Sequence, residues 1–285
     1  MIEGLELIDA HVHPPHRGSL KPAWVEWAKA FGKGVPLDEL YDPAGHLIPA
    51  RFDAYMAGEG VDLVLMLCEY SPKATGIQPI EDLLPLVEYN PARFRILANL
   101  NPHYHFPLVE ELKRQVSYGA VGLKLHTVHG GFAANDAMLY PVYGYCEQER
   151  LPVVYHCGTS TFPGGSNRFA DPLVIEDVAR DFPGLNIVLA HGGRGWWYDA
   201  AAFLSLMRPN VWIEVSGLPP RKLPEYYARY DFARLARRMI FGTDWPGVPG
   251  IRTNAAAIAE LGLDRTTLAA IFAGNARAVY RLGEG

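Results

Sequence analysis

The sequence is poor in cysteine and contains no block of basic residues. Its three cysteines, Cys68, Cys146 and Cys157, are an odd number and are widely spaced. This pattern excludes a disulfide framework and fits a reducing compartment. The formal net charge is -5 over 285 residues. We therefore expect no nucleic-acid partner and no binding to an anionic membrane surface.

Long apolar runs are also missing. None reaches the roughly 18 to 20 residues of a membrane span, and the opening residues, MIEGLELID, lack the basic start and the apolar stretch of a secretory signal. We therefore expect a soluble, cytoplasmic protein. The chain is 49% hydrophobic, which is enough for a large core, and we expect a single domain over residues 1–285.

What the sequence does contain is a series of short segments rich in apolar and β-branched residues, each bounded by turn residues. Most are almost continuously apolar, as in parallel strands that are buried on both faces. The predicted strands are residues 5–13, 61–68, 94–100, 120–126, 151–156, 185–191, 210–216 and 237–244. Helical patterns between them cover residues 80–90, 107–119, 136–150, 172–183 and 196–209.

Strands that alternate with helices predict an α/β protein, and eight such strands predict a (β/α)8 TIM barrel. An open, doubly wound sheet would alternate in the same way. It would usually carry a glycine fingerprint after its first strand, and none is present here. Within the third helical pattern, Pro141 indicates that the helix begins there.

The connection after the first strand, from residue 14 to about residue 50, is unusually long. It carries Trp24, Trp27 and Phe31 among glycines and prolines, and we expect it to be irregular. Long loops in compact domains are often functional, so we predict that it covers the barrel mouth. There Trp24 and Trp27 would form an apolar wall of the substrate pocket. The alternative is an insertion that packs on the rim.

Polar residues mark the carboxyl ends of five predicted strands. They are His11 and His13, Lys124 and His126, His156, His191, and Asp244. Side chains alternate along a strand, so His11 and His13 share one face, as do Lys124 and His126. In a barrel the carboxyl ends of the strands meet at one mouth, where the active sites of this fold lie.

Imidazole and carboxylate groups are ligands for zinc and other divalent first-row metals. The set His11, His13, His156 and Asp244 therefore predicts a metal site. A lone histidine at a strand end is usually structural, but several that converge are harder to explain in that way. Other histidines were weaker candidates: His103 and His105 lie in a proline-bounded loop, and no role is assigned to His129.

The segments IDAHVH, GLKLH, VVYHCG, VLAHGG and IFGTDWP, with the terminal GNARAVYRL, resemble the amidohydrolase superfamily. The branch that they resemble most includes aminocarboxymuconate-semialdehyde decarboxylase. The resemblance implies a TIM barrel in which His11, His13, His156 and Asp244 hold one divalent metal, zinc being the expected ion. It also implies that His191 faces the metal-bound water or polarises the substrate.

Lys124 admits two interpretations. Binuclear members of the superfamily use a carboxylated lysine at this place, which would make Lys124 a bridge to a second metal held with His156 and His191. In the mononuclear alternative, which we favour, Lys124 is a cation of the pocket that contacts the substrate or lies behind the metal ligands, with its charge balanced by Asp244 or by a bound anion. Arg168 and Arg194 also follow strand ends, where arginine suits a substrate carboxylate, although either could be a solvated loop charge.

Three functions remain open from the sequence. The first is metal-dependent hydrolysis of a small cyclic amide, lactone or ester, with Asp244 as the proton carrier and His191 stabilising the oxyanion. The second is metal-dependent, non-oxidative decarboxylation of a small carboxylic acid. The third is metal binding without catalysis. We expect a small molecule as the binding partner. The sequence is compatible with a homodimer as well as with a monomer.

Overall fold

The computed structural model describes residue 2 and residues 4–283. The strands are β1 (Ile8–Val12), β2 (Leu63–Leu67), β3 (Glu69–Ser71), β4 (Gly76–Gln78), β5 (Phe94–Asn99), β6 (Ala120–Leu125), β7 (Val153–Gly158), β8 (Ile187–Arg194), β9 (Val211–Glu214) and β10 (Met239–Ile240). The helices are α1 (Pro22–Phe31), α2 (Leu37–Leu40), α3 (Pro49–Gly58), α4 (Leu84–Tyr89), α5 (Leu108–Ser117), α6 (Thr127–Gly130), α7 (Tyr140–Glu149), α8 (Leu173–Asp181), α9 (Tyr198–Met207), α10 (Leu223–Tyr226), α11 (Phe232–Ala236), α12 (Ile251–Ala259), α13 (Arg265–Ala269) and α14 (Asn275–Tyr280).

Eight of the strands form one parallel sheet in the order β1-β2-β5-β6-β7-β8-β9-β10. The sheet curves until the segment after β10 meets β1. There the amide of His13 donates to the carbonyl of Trp245 at 2.8 Å, and the amide of Asp244 donates to the carbonyl of His11 at 2.9 Å. These bonds bring the first and last strands together at the carboxyl end. The architecture is a (β/α)8 barrel, as the sequence predicts.

The helices cover the barrel because each has an apolar stripe that must leave water. In α5 the buried side chains are Leu108, Leu112 and Gln115, a helical spacing that faces the sheet. Acidic residues occupy the first turn of α5 and Arg114 the last, which suits the helix dipole. Between strands and helices lies the larger of two buried apolar clusters.

The smaller apolar cluster fills the amino-terminal half of the barrel interior. Leu65, Val154, Val188 and Ile240 from four strands pack there with side chains of α14. Val154 precedes His156 on β7 by two residues, so both side chains point to the same side of the strand. The barrel interior is therefore apolar at its amino end, and the candidate site begins one layer above it.

The predicted strands are all present, displaced by a few residues at their ends. The predicted helix over 136–150 contains a short 3₁₀ turn, Ala137–Leu139, and then α7 from Tyr140, one residue before Pro141. The prediction of an irregular connection from 14 to 50 is wrong, because α1 and α2 lie within it. Among the described residues, no helix combines the length and apolar character needed to cross a bilayer.

Candidate metal centre

The carboxyl end of the barrel gathers the strand-end residues that the sequence singled out. His11, His13, Lys124, His126, His156, His191 and Asp244 are all buried there. His191 and Asp244 have positive φ angles of 67° and 70°, a left-handed conformation that side chains other than glycine rarely adopt. This backbone strain is placed where two candidate functional side chains enter the barrel.

Three of these residues bring ligand-type atoms to one place. His11 Nε2 lies 3.2 Å from His13 Nε2, and Asp244 Oδ1 lies 3.6 Å from His11 Nε2 and 3.5 Å from His13 Nε2. Ligand-type atoms of His11, His191 and Asp244 also lie within 4.8 Å of one another. The bonds of a zinc ion to such atoms are about 2.0 to 2.2 Å long. The imidazole and carboxylate atoms at this place therefore have the donor types and the spacing that a divalent cation requires.

Glu214, at the end of β9, orients His11. The Nδ1 atom of His11 lies 2.9 and 3.0 Å from the two carboxylate oxygens of Glu214. A carboxylate only accepts, so Nδ1 carries the hydrogen and Nε2 presents its lone pair to the site. Glu214 is not among the site residues predicted from the sequence. The available signal was a carboxylate that ends the apolar strand VWIE at the carboxyl end of the barrel.

A second chain of hydrogen bonds fixes His156. His191 Nδ1 lies 3.0 Å from the carbonyl of Ser216 and must donate to it, which leaves His191 Nε2 as an acceptor. His156 Nδ1 lies 3.2 Å from that atom, so it donates. His156 Nε2 then bears a lone pair, and within the part of the chain that the structure describes it has no hydrogen-bond partner although it is buried. An unpartnered imidazole nitrogen of this kind suits a metal ligand.

The charges in this group are set by burial and by one another. Burial favours the neutral form of Asp244, but His13, His11 and Arg194 outweigh it and lower the pKa of this carboxyl. Burial lowers the pKa of Lys124 to about 8, although Glu214, Asp244 and Glu69 oppose the shift. Lys124 Nζ lies 3.2 Å from His11 Nε2. A cation and an anion therefore flank the same imidazole nitrogen.

A cavity of about 280 Å³ opens above this group. Trp24, Trp27 and Phe31 of α1 line it together with His13 and Asp244. The approach is close because Gly247 has no side chain: a Cβ there would come within 2.1 Å of the Trp27 indole. The cavity thus has an apolar wall and a polar floor, the usual character of a small-molecule site.

The two candidate arginines differ in position. Arg194 lines the cavity, and its Nη1 lies 3.9 Å from Asp244 Oδ2. It is held by the carbonyl oxygens of Thr159 and Gly217. Arg168 is exposed and its guanidinium lies over the ring of Phe169, 4.5 Å from the ring centroid. The structure therefore brings Arg194 to the site and leaves Arg168 outside it.

A second group of ligand-type side chains lines the same cavity. Atoms of Glu69, His126 and His129 lie within 4.8 Å of one another, and all three residues are buried. Glu69 follows β2, and His129 lies in α6. The sequence analysis named only His126 and assigned no role to His129. The signal for Glu69 was a carboxylate at the end of the second strand, LVLML-C-E.

Comparison with known proteins agrees with this geometry. The family model described as amidohydrolase matches residues 8–282. No curated protein sequence matches the chain significantly. Many solved structures share the fold.

An uncharacterised TIM-barrel protein from Bordetella bronchiseptica is 21% identical over 98% of this chain and 99% of its own, with a TM-score of 0.79. The 5-carboxyvanillate decarboxylase from Sphingomonas paucimobilis is 17% identical over 98% and 100%, with a TM-score of 0.68. A probable 2-pyrone-4,6-dicarboxylic acid hydrolase from Acinetobacter baumannii is 17% identical over 97% and 100%, with a TM-score of 0.64. These low identities establish the shared fold alone.

Proposed function

Because this chain belongs to the amidohydrolase family of enzymes, we propose that it is a metal-dependent hydrolase of a small organic substrate, such as a cyclic amide, a lactone or an ester. The observation that carries the proposal is the meeting of His11 Nε2, His13 Nε2 and Asp244 Oδ1 within 3.6 Å beside a small cavity. Metal binding without catalysis is not retained, since the family is one of enzymes.

We propose that His11, His13, His156 and Asp244 hold one divalent cation, and that the ion is zinc. When bound, such an ion polarises the scissile carbonyl and makes a bound water acidic at neutral pH. Glu214 supports the site by keeping the lone pair of His11 Nε2 pointed inward. His191 supports it by holding His156 in the tautomer whose Nε2 is free to bind.

Asp244 would carry the proton. Its low pKa, which His13, His11 and Arg194 maintain, keeps the carboxylate ionised. It would accept the proton of the attacking water and become ionised again when it delivers that proton to the leaving group. We do not assign the stabilisation of the oxyanion to His191. With Nδ1–H donated to Ser216, its Nε2 carries no hydrogen to offer. Lys124, a buried cation beside His11, is the better candidate for that role.

The second candidate function is non-oxidative decarboxylation. Two cations, Lys124 and Arg194, lie beside the same ligand group, and this arrangement favours a substrate that carries a carboxylate. Several proteins with this fold are decarboxylases by name, among them the 2,6-dihydroxybenzoate decarboxylase from Rhizobium. That activity comes to this chain only as a proposal.

The test compares the two reactions on one enzyme preparation. Protein stripped of metal by a chelator and then reloaded with zinc is assayed on a panel of lactones, esters and cyclic amides, and on a panel of hydroxybenzoic acids. Hydrolysis that returns with the metal supports the first function. Release of carbon dioxide from the acids, with no hydrolysis, favours the second. Equal rates in the stripped and reloaded protein would contradict metal dependence in both.

A further inference from the structure

Glu69, His126 and His129 form a group of ligand-type side chains that the proposed reaction does not use. We call this group the second cluster. Its three residues come from different parts of the fold: Glu69 begins β3 shortly after β2 ends, His126 directly follows β6, and His129 lies in α6. Each is between 3% and 5% exposed, and ligand-type atoms of all three lie within 4.8 Å of one another.

Four polar side-chain atoms of the second cluster have no hydrogen-bond partner among the described residues. They are Glu69 Oε1, Nδ1 and Nε2 of His126, and Nδ1 of His129. The hydroxyls of Ser71 and Thr75 lie beside the Glu69 carboxyl. Glu69 Oε2 lies 3.2 Å from His126 Nε2, but burial lowers the pKa of His126 well below its ordinary value, so this contact is not an ion pair. A buried polar atom without a partner destabilises the folded chain, because it has lost its hydrogen bonds to water. Several in one place indicate that something outside the chain satisfies them.

The two imidazoles cannot satisfy each other. Their rings are stacked, with centroids 5.2 Å apart and planes inclined by only 12°, whereas a ring nitrogen bonds in the plane of its ring. His129 Nε2 lies 2.9 Å from the hydroxyl of Ser160. A hydrogen bond there leaves Nδ1 as the atom that faces the cluster. An electrophile shared by the two rings and the carboxylate would satisfy all three side chains.

We propose that Glu69, His126 and His129 bind a second divalent first-row cation. Two imidazoles and one carboxylate are the donor set that zinc takes in open catalytic sites, where further positions remain for water or substrate. All three residues line the cavity, so those positions face the same space as the first site. This site does not use Lys124 and therefore differs from the lysine-bridged binuclear arrangement.

The two sites are neighbours across the mouth of the barrel. The rings of His13 and His126 have centroids 5.9 Å apart, and the ring of His156 lies 4.9 Å from that of His129. A substrate in the cavity would therefore contact both ions. The binding of the second ion does not depend on which reaction the first site performs, so the two proposals can fail separately.

Metal stoichiometry tests the second site. Chelator-stripped, full-length protein is titrated with Zn²⁺ under equilibrium dialysis, and bound zinc is measured per chain. We expect about two ions for the wild type and about one for each of Glu69→Gln and His129→Gln. His103→Gln, which changes an exposed imidazole on a nearby loop, is the matched control and should keep two. The Co²⁺-loaded variants should also lose one set of visible absorption bands.

Reciprocal variants separate this proposal from the first site. The double variant His11→Ala/His13→Ala should lose the first ion and keep the second. One ion in the wild type, lost in that double variant and unchanged in Glu69→Gln and His129→Gln, would overturn the second site and leave the first intact. A raised KM with unchanged zinc content would also overturn it, because the cluster would then bind a substrate anion. If either variant fails to fold by circular dichroism, the other gives the answer.

Discussion

The two ends of the barrel interior are built from the same strands but have opposite chemistry. At the amino end, Leu65, Val154, Val188 and Ile240 pack against α14 in an apolar cluster. At the carboxyl end the inward-facing residues are polar. On β7, for example, His156 lies two residues after Val154 and points to the same side of the strand. The polar side chains of that end converge on a cavity instead of filling it.

The two ends differ in how far contacts within the chain meet the packing and hydrogen-bonding needs of their buried side chains. Aliphatic side chains at the amino end meet their packing needs within the chain. The carboxyl end keeps buried imidazole and carboxylate atoms that have no partner among residues 2 and 4–283, and it holds His191 and Asp244 at positive φ. Both features cost stability and are expected where a ligand completes the structure. The amino end therefore stabilises the barrel, and the carboxyl end is prepared for a ligand.

The largest expected effect follows from removing the first-strand pair. His11→Ala/His13→Ala should lose the first metal ion and the activity that depends on it, while far-ultraviolet circular dichroism stays that of the wild type. Elemental analysis of purified protein measures the loss. The matched control is His103→Ala/His105→Ala, which removes two histidines with the same spacing from a loop. If His11→Ala/His13→Ala bound as much metal as the wild type, the carboxyl end would not be the metal site and the proposed difference between the two ends would be wrong.

A second change separates metal binding from proton transfer at the carboxyl end. Asp244→Asn should retain most of its metal, which three histidines still hold. Its turnover should fall by about 10²-fold or more, the usual scale for a positioned acid or base. Metal content and rate are measured on the same sample. A metal-replete variant that turns over like the wild type would show that Asp244 does not carry the proton.

A smaller effect is expected behind the ligands. Glu214→Gln removes the carboxylate that accepts from His11 Nδ1, and we expect zinc affinity to fall by about 10- to 100-fold. Competition with a chromophoric chelator measures the change. Glu225→Gln, at an exposed carboxylate paired with Lys222, is the control and should bind as the wild type does. An unchanged affinity in Glu214→Gln would mean that Glu214 serves packing alone.

The smallest effect is expected at the amino end. Ile240→Val removes one methylene from the apolar cluster and should lower the free energy of unfolding by about 0.5 to 1.5 kcal/mol. Zinc content and turnover should stay unchanged. Denaturant titration of the metal-free protein gives the first quantity, and the assays above give the others. A loss of metal in this variant would show that the two ends are coupled.

The strands were predictable because burial on both faces leaves near-continuous apolar runs, as in VVYHCG around His156. The residues His11, His13 and Asp244 were predictable because each stands at a strand end, and strand ends converge in this fold. The helix α1 was not predictable from the sequence, because Lys21 before it makes no side-chain cap and glycines and prolines surround it. Its position depends on contacts with the loop after β10, near Gly247.

Glu214, Glu69 and His129 were missed for a different reason. A single carboxylate that ends an apolar strand has many structural explanations, and His129 lies one helical turn beyond its strand. Only the closed barrel brings Glu69 and His129 to His126. Long-range contacts of this kind follow from the fold and not from the spacing of residues along the chain.

The most direct test of the central claim is anomalous diffraction from crystals of the zinc-loaded protein, with data on both sides of the zinc absorption edge. The account predicts an anomalous peak at the carboxyl end of the barrel, bonded to His11 Nε2, His13 Nε2, His156 Nε2 and the carboxylate of Asp244. Fully loaded crystals in which no peak lies among these four residues would contradict it.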